Sequence, residues 1–186
     1  MKAVVRFPGR TCAIYTLCRW ITRIAQKEDP RTHFLVCLDL DDTVLHRSRL
    51  LESGHALYLT LQQCPNIHLI FVTARLESLR DVTKLALKNT KMTNYEYLFM
   101  FPEKEKRTSL TVSSFKMQAV DFVAKKHSYT VLALVGDSWS DLVQFPTQDD
   151  EDEEDAFDFG ELDNNSSFIV QRPSTITTLL KLGKTH

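Results

Sequence analysis

The sequence predicts a three-layer α/β/α sandwich around a central parallel sheet, and three observations predict it. Short apolar runs of strand length recur along the chain, helix-length segments separate them, and polar residues able to do chemistry stand where the runs end. The alternation of strand and helix predicts parallel strands joined by right-handed crossovers.

The first segment with a clear period lies near the N-terminus. Lys2, Arg6 and Arg10 precede the stretch Thr11 to Ile21, a pattern that resembles a leader, but Pro8, Thr16 and Arg19 interrupt the apolar core a leader needs. Ile14, Leu17, Cys18, Ile21 and Ile24 recur at three- and four-residue spacing, so an amphipathic helix is expected here, lying on the domain as an extension over residues 1–32. After the charged break at Lys27 to Arg31, His33 to Leu38 reads as a buried strand that delivers Asp39 at its carboxyl end. A helix from about Leu50 to Gln63 follows and is stopped by Pro65. Ile67 to Val72 is the second strand, ending in Thr73, and Leu76 to Lys88 the next helix.

Tyr95 to Phe101 is expected as the third strand, Ser114 to His127 as a helix and Thr130 to Val135 as the fourth strand. Residues 148–165 differ in kind: Asp149 to Asp155 is wholly acidic, and a mobile surface loop is expected. Order should return at Ser167 to Val170, a short strand, and at Ser174 to Leu182, a helix opened by Pro-Ser. A chain of 186 residues, 43% of them hydrophobic, can bury a full core, and no linker divides it, so a single domain over 1–186 is expected.

A formal net charge of -1 gives no general attraction to nucleic acid or to an anionic membrane, and no stretch approaches the length of a membrane span. Cys12, Cys18, Cys37 and Cys64 lack metal-site spacing and read as reduced thiols, which places the protein in the cytoplasm.

In open parallel sheets, ligands sit beyond the carboxyl ends of the strands. Asp39, Asp41 and Thr43 follow the first strand here, Thr73 the second, and Gly136, Asp137 and Asp141 the fourth. Asp39 and Asp41 are two residues apart, which puts both carboxylates on one side of extended backbone. A carboxylate beside a hard cation can attack phosphorus, and a second can protonate the leaving alcohol and then deprotonate water, help worth about a hundred- to ten-thousandfold. Asp137 and Asp141 add oxygen donors of the kind that suit Mg²⁺. Thr73, with the backbone N–H of a neighbour near a helix start, and Lys116, also read at a helix start, are candidate phosphate holders.

These residues resemble the four motifs of the haloacid dehalogenase superfamily: Asp39-Leu40-Asp41-Asp42-Thr43, Val72-Thr73-Ala74-Arg75, Phe115-Lys116, and Gly136-Asp137-Ser138-Trp139-Ser140-Asp141-Leu142, in the family's order over roughly residues 33–145. The fourth looks like that of the class B acid phosphatase and plant vegetative-storage-protein branch. The resemblance implies a Mg²⁺-dependent phosphomonoesterase in which Asp39 becomes phosphorylated and Asp41 is the general acid and base. Asp39, the Asp41 carbonyl and Asp137 would ligate Mg²⁺, with Asp141 supporting the metal or orienting Lys116. Thr73, Ala74 and Lys116 would hold the phosphate. Secreted acid phosphatases of that branch carry signal peptides, which are not expected here, and the acidic insert is a further departure. The interval Val44 to Asn66 leaves no room for a cap and Leu76 to Ser113 little, so the site should be open. By resemblance, an uncapped member takes large substrates or borrows a lid from another subunit.

Around the motifs, Trp139 reads as packing its loop, Arg75 either as a substrate contact or as a partner for a nearby carboxylate, and His46 and His55 as ordinary polar positions. Lys104, Lys106 and Arg107 read as a solvated loop. Three other functions compete. A receiver-type signalling domain lacks a carboxylate two residues after its acceptor, where Asp41 stands. A calcium loop needs glycine where Val44 stands. A silent module binding Mg²⁺ and a phosphorylated partner is disfavoured because no catalytic residue is missing. Nucleotides, nucleic-acid ends, phosphoproteins and small metabolites all stay open as substrates.

Overall fold

In a computed structural model of the protein, the described residues are 3–6, 10–47, 49–137 and 169–172. The expected helix Ser174 to Leu182, the acidic tract Asp149 to Asp155, Trp139 and the candidate ligand Asp141 lie outside them.

The elements run β1 (Ala3–Arg6), α1 (Arg10–Lys27), β2 (Phe34–Leu38), β3 (Leu45–His46), β4 (Arg49–Leu50), α2 (Glu52–Gln62), β5 (Ile67–Leu76), α3 (Arg80–Asn89), β6 (Tyr97–Phe101), α4 (Ser109–His127), β7 (Thr130–Gly136) and β8 (Ile169–Arg172). One six-stranded sheet has the order β1-β8-β7-β2-β5-β6. Its four inner-sequence strands, β7, β2, β5 and β6, are parallel as expected. The sheet is not parallel throughout, because β8 pairs antiparallel with β7 and β1 antiparallel with β8. Strand β1, formed by Ala3-Val4-Val5-Arg6, was not among the strands expected from the sequence.

Strand alternation divides the core into two layers. Phe34, Val36 and Leu38 of β2 and Leu69 and Phe71 of β5 face Leu17, Ile21 and Ile24 of α1, Leu57 and Leu61 of α2, and Leu87 of α3. Leu35 and Cys37 of β2, with Ile70 and Val72 of β5, face Ala119, Val120 and Val123 of α4. Helices therefore cover both faces, which is why the central strands read as unbroken apolar runs. The α1 stripe expected from the sequence is the one that packs: Leu17, Ile21 and Ile24 are buried.

Three boundaries differ from expectation, each for a local reason. First, β5 does not stop at Thr73. It runs to Leu76 through a bulge, with Thr73 opposite Met100 and Leu76 opposite Phe101, so Ala74 and Arg75 are the extra residues. A short 3₁₀ turn, Glu77–Leu79, then precedes α3. Second, α4 opens at Ser109 rather than Ser114, because the Thr108 side chain accepts from the Thr111 N–H while Thr111 returns a bond to the Thr108 N–H. Third, a two-residue hairpin, β3 with β4, separates the Asp39 loop from α2.

At the amino end of the sheet, His33 Nδ1 and His68 Nε2 are 2.8 Å apart, His68 Nδ1 meets Glu96, and Tyr129 donates its hydroxyl to Glu96 Oε1 at 3.2 Å. These contacts tie together the starts of β2, β5, β6 and β7.

Candidate active site

The site is assembled at the opposite, carboxyl end of the sheet. The Asp39 N–H donates to the Val135 carbonyl at 2.9 Å, so β2 ends alongside β7, two residues before Asp137. Asp39 is buried at 6% exposure, while Asp137, a bend immediately after β7, is half-buried. Two carboxylates thus leave neighbouring strands at the same rim.

Beyond Asp39 the chain turns sharply. The Leu40 carbonyl accepts both the Val44 N–H at 3.0 Å and the Leu45 N–H at 2.8 Å, and the Asp42 N–H donates to the Leu45 carbonyl at 2.6 Å. Asp42 sits in the left-handed region at φ 54, a conformation Asp tolerates better than most residues, and its carboxylate lies 2.5 Å from His46 Nδ1. His46 therefore has a structural partner, as an ordinary polar position should.

The turn is pressed onto α2 at Gly54. A Cβ there would stand 2.5 Å from Val44 Cα and 2.7 Å from the Thr43 carbonyl oxygen, so no other residue fits without moving the loop. Sequence reasoning passed over Gly54. A glycine inside a helix-period pattern costs about 1 kcal/mol relative to alanine, and that cost was the available signal that backbone comes close. Thr43 is wholly buried, and its Oγ1 has no hydrogen-bond partner among the described residues.

Lys116 Nζ lies 2.5 Å from Asp39 Oδ1, and both side chains are almost fully enclosed. Lys116 is not at a helix start: α4 begins seven residues earlier, and the lysine reaches the rim from within the helix. Thr73 is likewise not beside a helix start, because the strand continues past it. It is fully buried, and its Oγ1 accepts the Arg75 N–H at 3.2 Å. Ala74, half-buried, lies in the bulge between them.

The bulge turns Arg75 toward Asp41. The guanidinium donates through Nε to Asp41 Oδ2 at 2.8 Å and through a terminal nitrogen to Oδ1 at 2.6 Å, a two-point pair. Its other terminal nitrogen donates to Thr83 Oγ1 at 3.3 Å. These hydrogen bonds to Asp41 raise the Arg75 pKa above its usual value against the opposing effect of burial, and the charges of Asp41 and Asp39 add to the rise. Of the two readings of Arg75, the geometry is that of a carboxylate partner.

Asp39, Asp41, Thr73, Lys116 and Asp137 therefore gather at one rim, and Asp141 lies outside the described residues. Among the described residues no three carboxylate, histidine or cysteine side chains cage a metal by themselves. What the rim supplies is two carboxylates, Asp39 and Asp137, with the main-chain carbonyl of Asp41 in the turn that follows. That set of hard oxygen donors is incomplete, which suits a cation that keeps several waters, as Mg²⁺ does. No helix among the described residues is long and apolar enough to cross a membrane.

A family model described as HAD superfamily, subfamily IIIB (Acid phosphatase), matches residues 49–175, more than half of the chain. The match takes in Thr73, Lys116, Asp137 and Asp141 and begins after Asp39 and Asp41. No curated protein matches the chain.

Proposed function

The chain belongs to the haloacid dehalogenase superfamily, subfamily IIIB, and is a phosphatase; from that premise we propose that it hydrolyses phosphomonoesters with Mg²⁺ through a phosphoaspartate on Asp39, with Asp41 as general acid and base. The observation that carries this reading is the pairing of a buried Asp39 with Lys116 while Asp41, two residues on, is held apart by Arg75. One carboxylate is enclosed beside a cation. The other stands at the half-exposed mouth.

In the first step a carboxylate oxygen of Asp39 attacks phosphorus and the bond from phosphorus to the ester oxygen breaks. The leaving oxygen keeps the electron pair and takes a proton from Asp41, giving a neutral alcohol. In the second step Asp41 takes a proton from water, whose oxygen attacks the phosphorus. The bond to Asp39 breaks, inorganic phosphate leaves, and the Asp39 carboxylate is restored. Lys116 Nζ, already in contact with Asp39, offsets the negative charge of the phosphoryl oxygens as they approach, and Thr73 and the backbone at Ala74 bind those oxygens. Asp39, the Asp41 carbonyl, Asp137 and Asp141 would hold Mg²⁺, which when bound screens the repulsion between carboxylate and phosphate.

Phosphate release from a generic aryl phosphate tests the reading, measured on the full chain with Mg²⁺, with chelator and with Asp39→Asn. Turnover that needs Mg²⁺ and disappears in Asp39→Asn is expected. Turnover that persists in Asp39→Asn would overturn the assignment of the nucleophile.

A further inference from the structure

Asp41 has to present its carboxylate to two different oxygens in the two steps, yet it stands on a turn at the edge of the site with its side chain 49% exposed. Freedom of that kind costs rate, since a carboxylate that rotates through solvent is seldom aligned with the proton it must move. The structure restricts it from an unexpected direction. Arg75 grips both Asp41 oxygens, and Arg75 is itself only 14% exposed. Its far nitrogen rests on Thr83 Oγ1, a hydroxyl buried at 0% exposure in the first turn of α3. The main-chain N–H of the same arginine bonds Thr73. The guanidinium is therefore held between the helix behind it and the carboxylate in front, on a backbone fixed by the β5 bulge.

We propose that Thr83 and Arg75 are positioning residues for the reaction, with Thr83 in α3 orienting the Arg75 guanidinium so that it sets the direction of the Asp41 carboxyl group: by the two-point grip when Asp41 is ionised, and through one oxygen when the other carries the proton. This inference rests on the reading of Asp41 as the acid and base. It gives α3 a task outside the four motifs, and it makes Thr83, which no motif contains, a determinant of rate. Lysine could not replace the arginine, because an ammonium cannot grip two oxygens and a hydroxyl in one plane.

The test separates proton transfer from every other part of the reaction. The full chain, Thr83→Val, Thr83→Ser, Arg75→Lys and Arg75→Ala are compared on two monoesters, dinitrophenyl phosphate and an alkyl phosphate. The first leaving group departs without protonation and the second does not. Because kcat/KM reports only steps through formation of the phosphoenzyme, Thr83→Val and both Arg75 variants should lose about tenfold or more on the alkyl ester while staying within about threefold of wild type on the dinitrophenyl ester. The same variants should show a burst of dinitrophenol, because the water-attack step also needs an aligned Asp41. Thr83→Ser, which restores the hydroxyl, should recover most of the alkyl-ester rate.

Equal losses on both esters would mean that Arg75 binds phosphate or merely supports the fold, and would overturn the inference. So would a Thr83→Val protein with wild-type values on both. A wild-type protein that turns over neither ester in the presence of Mg²⁺ would overturn the function reading itself, which distinguishes the two failures.

Discussion

Lys116 Nζ and Asp39 Oδ1 meet at 2.5 Å although the residues are 77 positions apart, and both are almost sealed from water. A buried pair of this kind is dangerous to break and inexpensive to replace. Lys116→Met should therefore remove activity and also destabilise the fold, by about 3–5 kcal/mol, because Asp39 keeps its charge without that cation. The double variant Asp39→Asn, Lys116→Met should recover most of that loss while staying inactive. Urea denaturation of the four proteins in the cycle measures the coupling, and additive effects would show that the pair does not share its burial cost.

Gly54 decides where the Asp41 turn sits. Gly54→Ala places a Cβ 2.5 Å from Val44 Cα and 2.7 Å from the Thr43 carbonyl oxygen, both backbone atoms that cannot swing aside. The gain in helix propensity of about 1 kcal/mol should be outweighed, giving a net loss of about 1–3 kcal/mol from overpacking. Activity should fall further than stability accounts for, since the displaced segment carries Asp41. Denaturation midpoints and kcat on the folded fraction check this, and a fully active, more stable Gly54→Ala would show that the loop yields.

How much of this was legible beforehand follows from what each feature depends on. The four parallel strands and the burial of Leu17, Ile21 and Ile24 were readable because burial on two faces leaves apolar runs and burial on one leaves a period. The placement of Asp39, Asp41, Thr73 and Asp137 at one rim was readable because strand ends in such a sheet converge. The local settings of Thr73 and Lys116 were not. A two-residue bulge at Ala74 and Arg75 has no compositional mark, and a capping box built from Thr108 and Thr111 lacks the usual glutamate or glutamine at its fourth position. Pairing of Arg75 with Asp41 and Thr83 depends on that bulge, so the sequence left Arg75 between two roles. Among the described residues strand β1 pairs with β8, which lies more than 160 residues further along the chain.

Thr43 Oγ1 is the polar atom in the Asp39 turn that the fold leaves without a partner among the described residues. A buried hydroxyl in that state costs about 1–3 kcal/mol relative to a satisfied one. Valine has nearly the same shape and no hydroxyl, so Thr43→Val should leave stability unchanged or raise it by about 1 kcal/mol. A loss of more than about 1 kcal/mol in urea denaturation would mean that the hydroxyl has a partner when the protein is in solution.

Tyr129 links the amino end of the sheet to alkaline stability. Partial burial raises its phenol pKa first, and the neighbouring Glu96 carboxylate, which accepts a hydrogen bond from its hydroxyl, raises it further. The sign follows from which state holds the proton more tightly. Below about pH 10, the usual phenol value, both folded and unfolded chains keep the proton and the contribution is fully present. Above it the unfolded chain ionises first, so folding loses ground until pH has risen through the folded value. The wild-type protein should therefore lose stability on the alkaline side of pH 10, and Tyr129→Phe, with no proton to lose, should show a shallower alkaline slope whatever its stability at neutral pH. Denaturation midpoints measured between about pH 8 and 11 give both slopes. Parallel slopes for the two proteins would show that the phenol beside Glu96 ionises as easily in the folded chain as in the unfolded one.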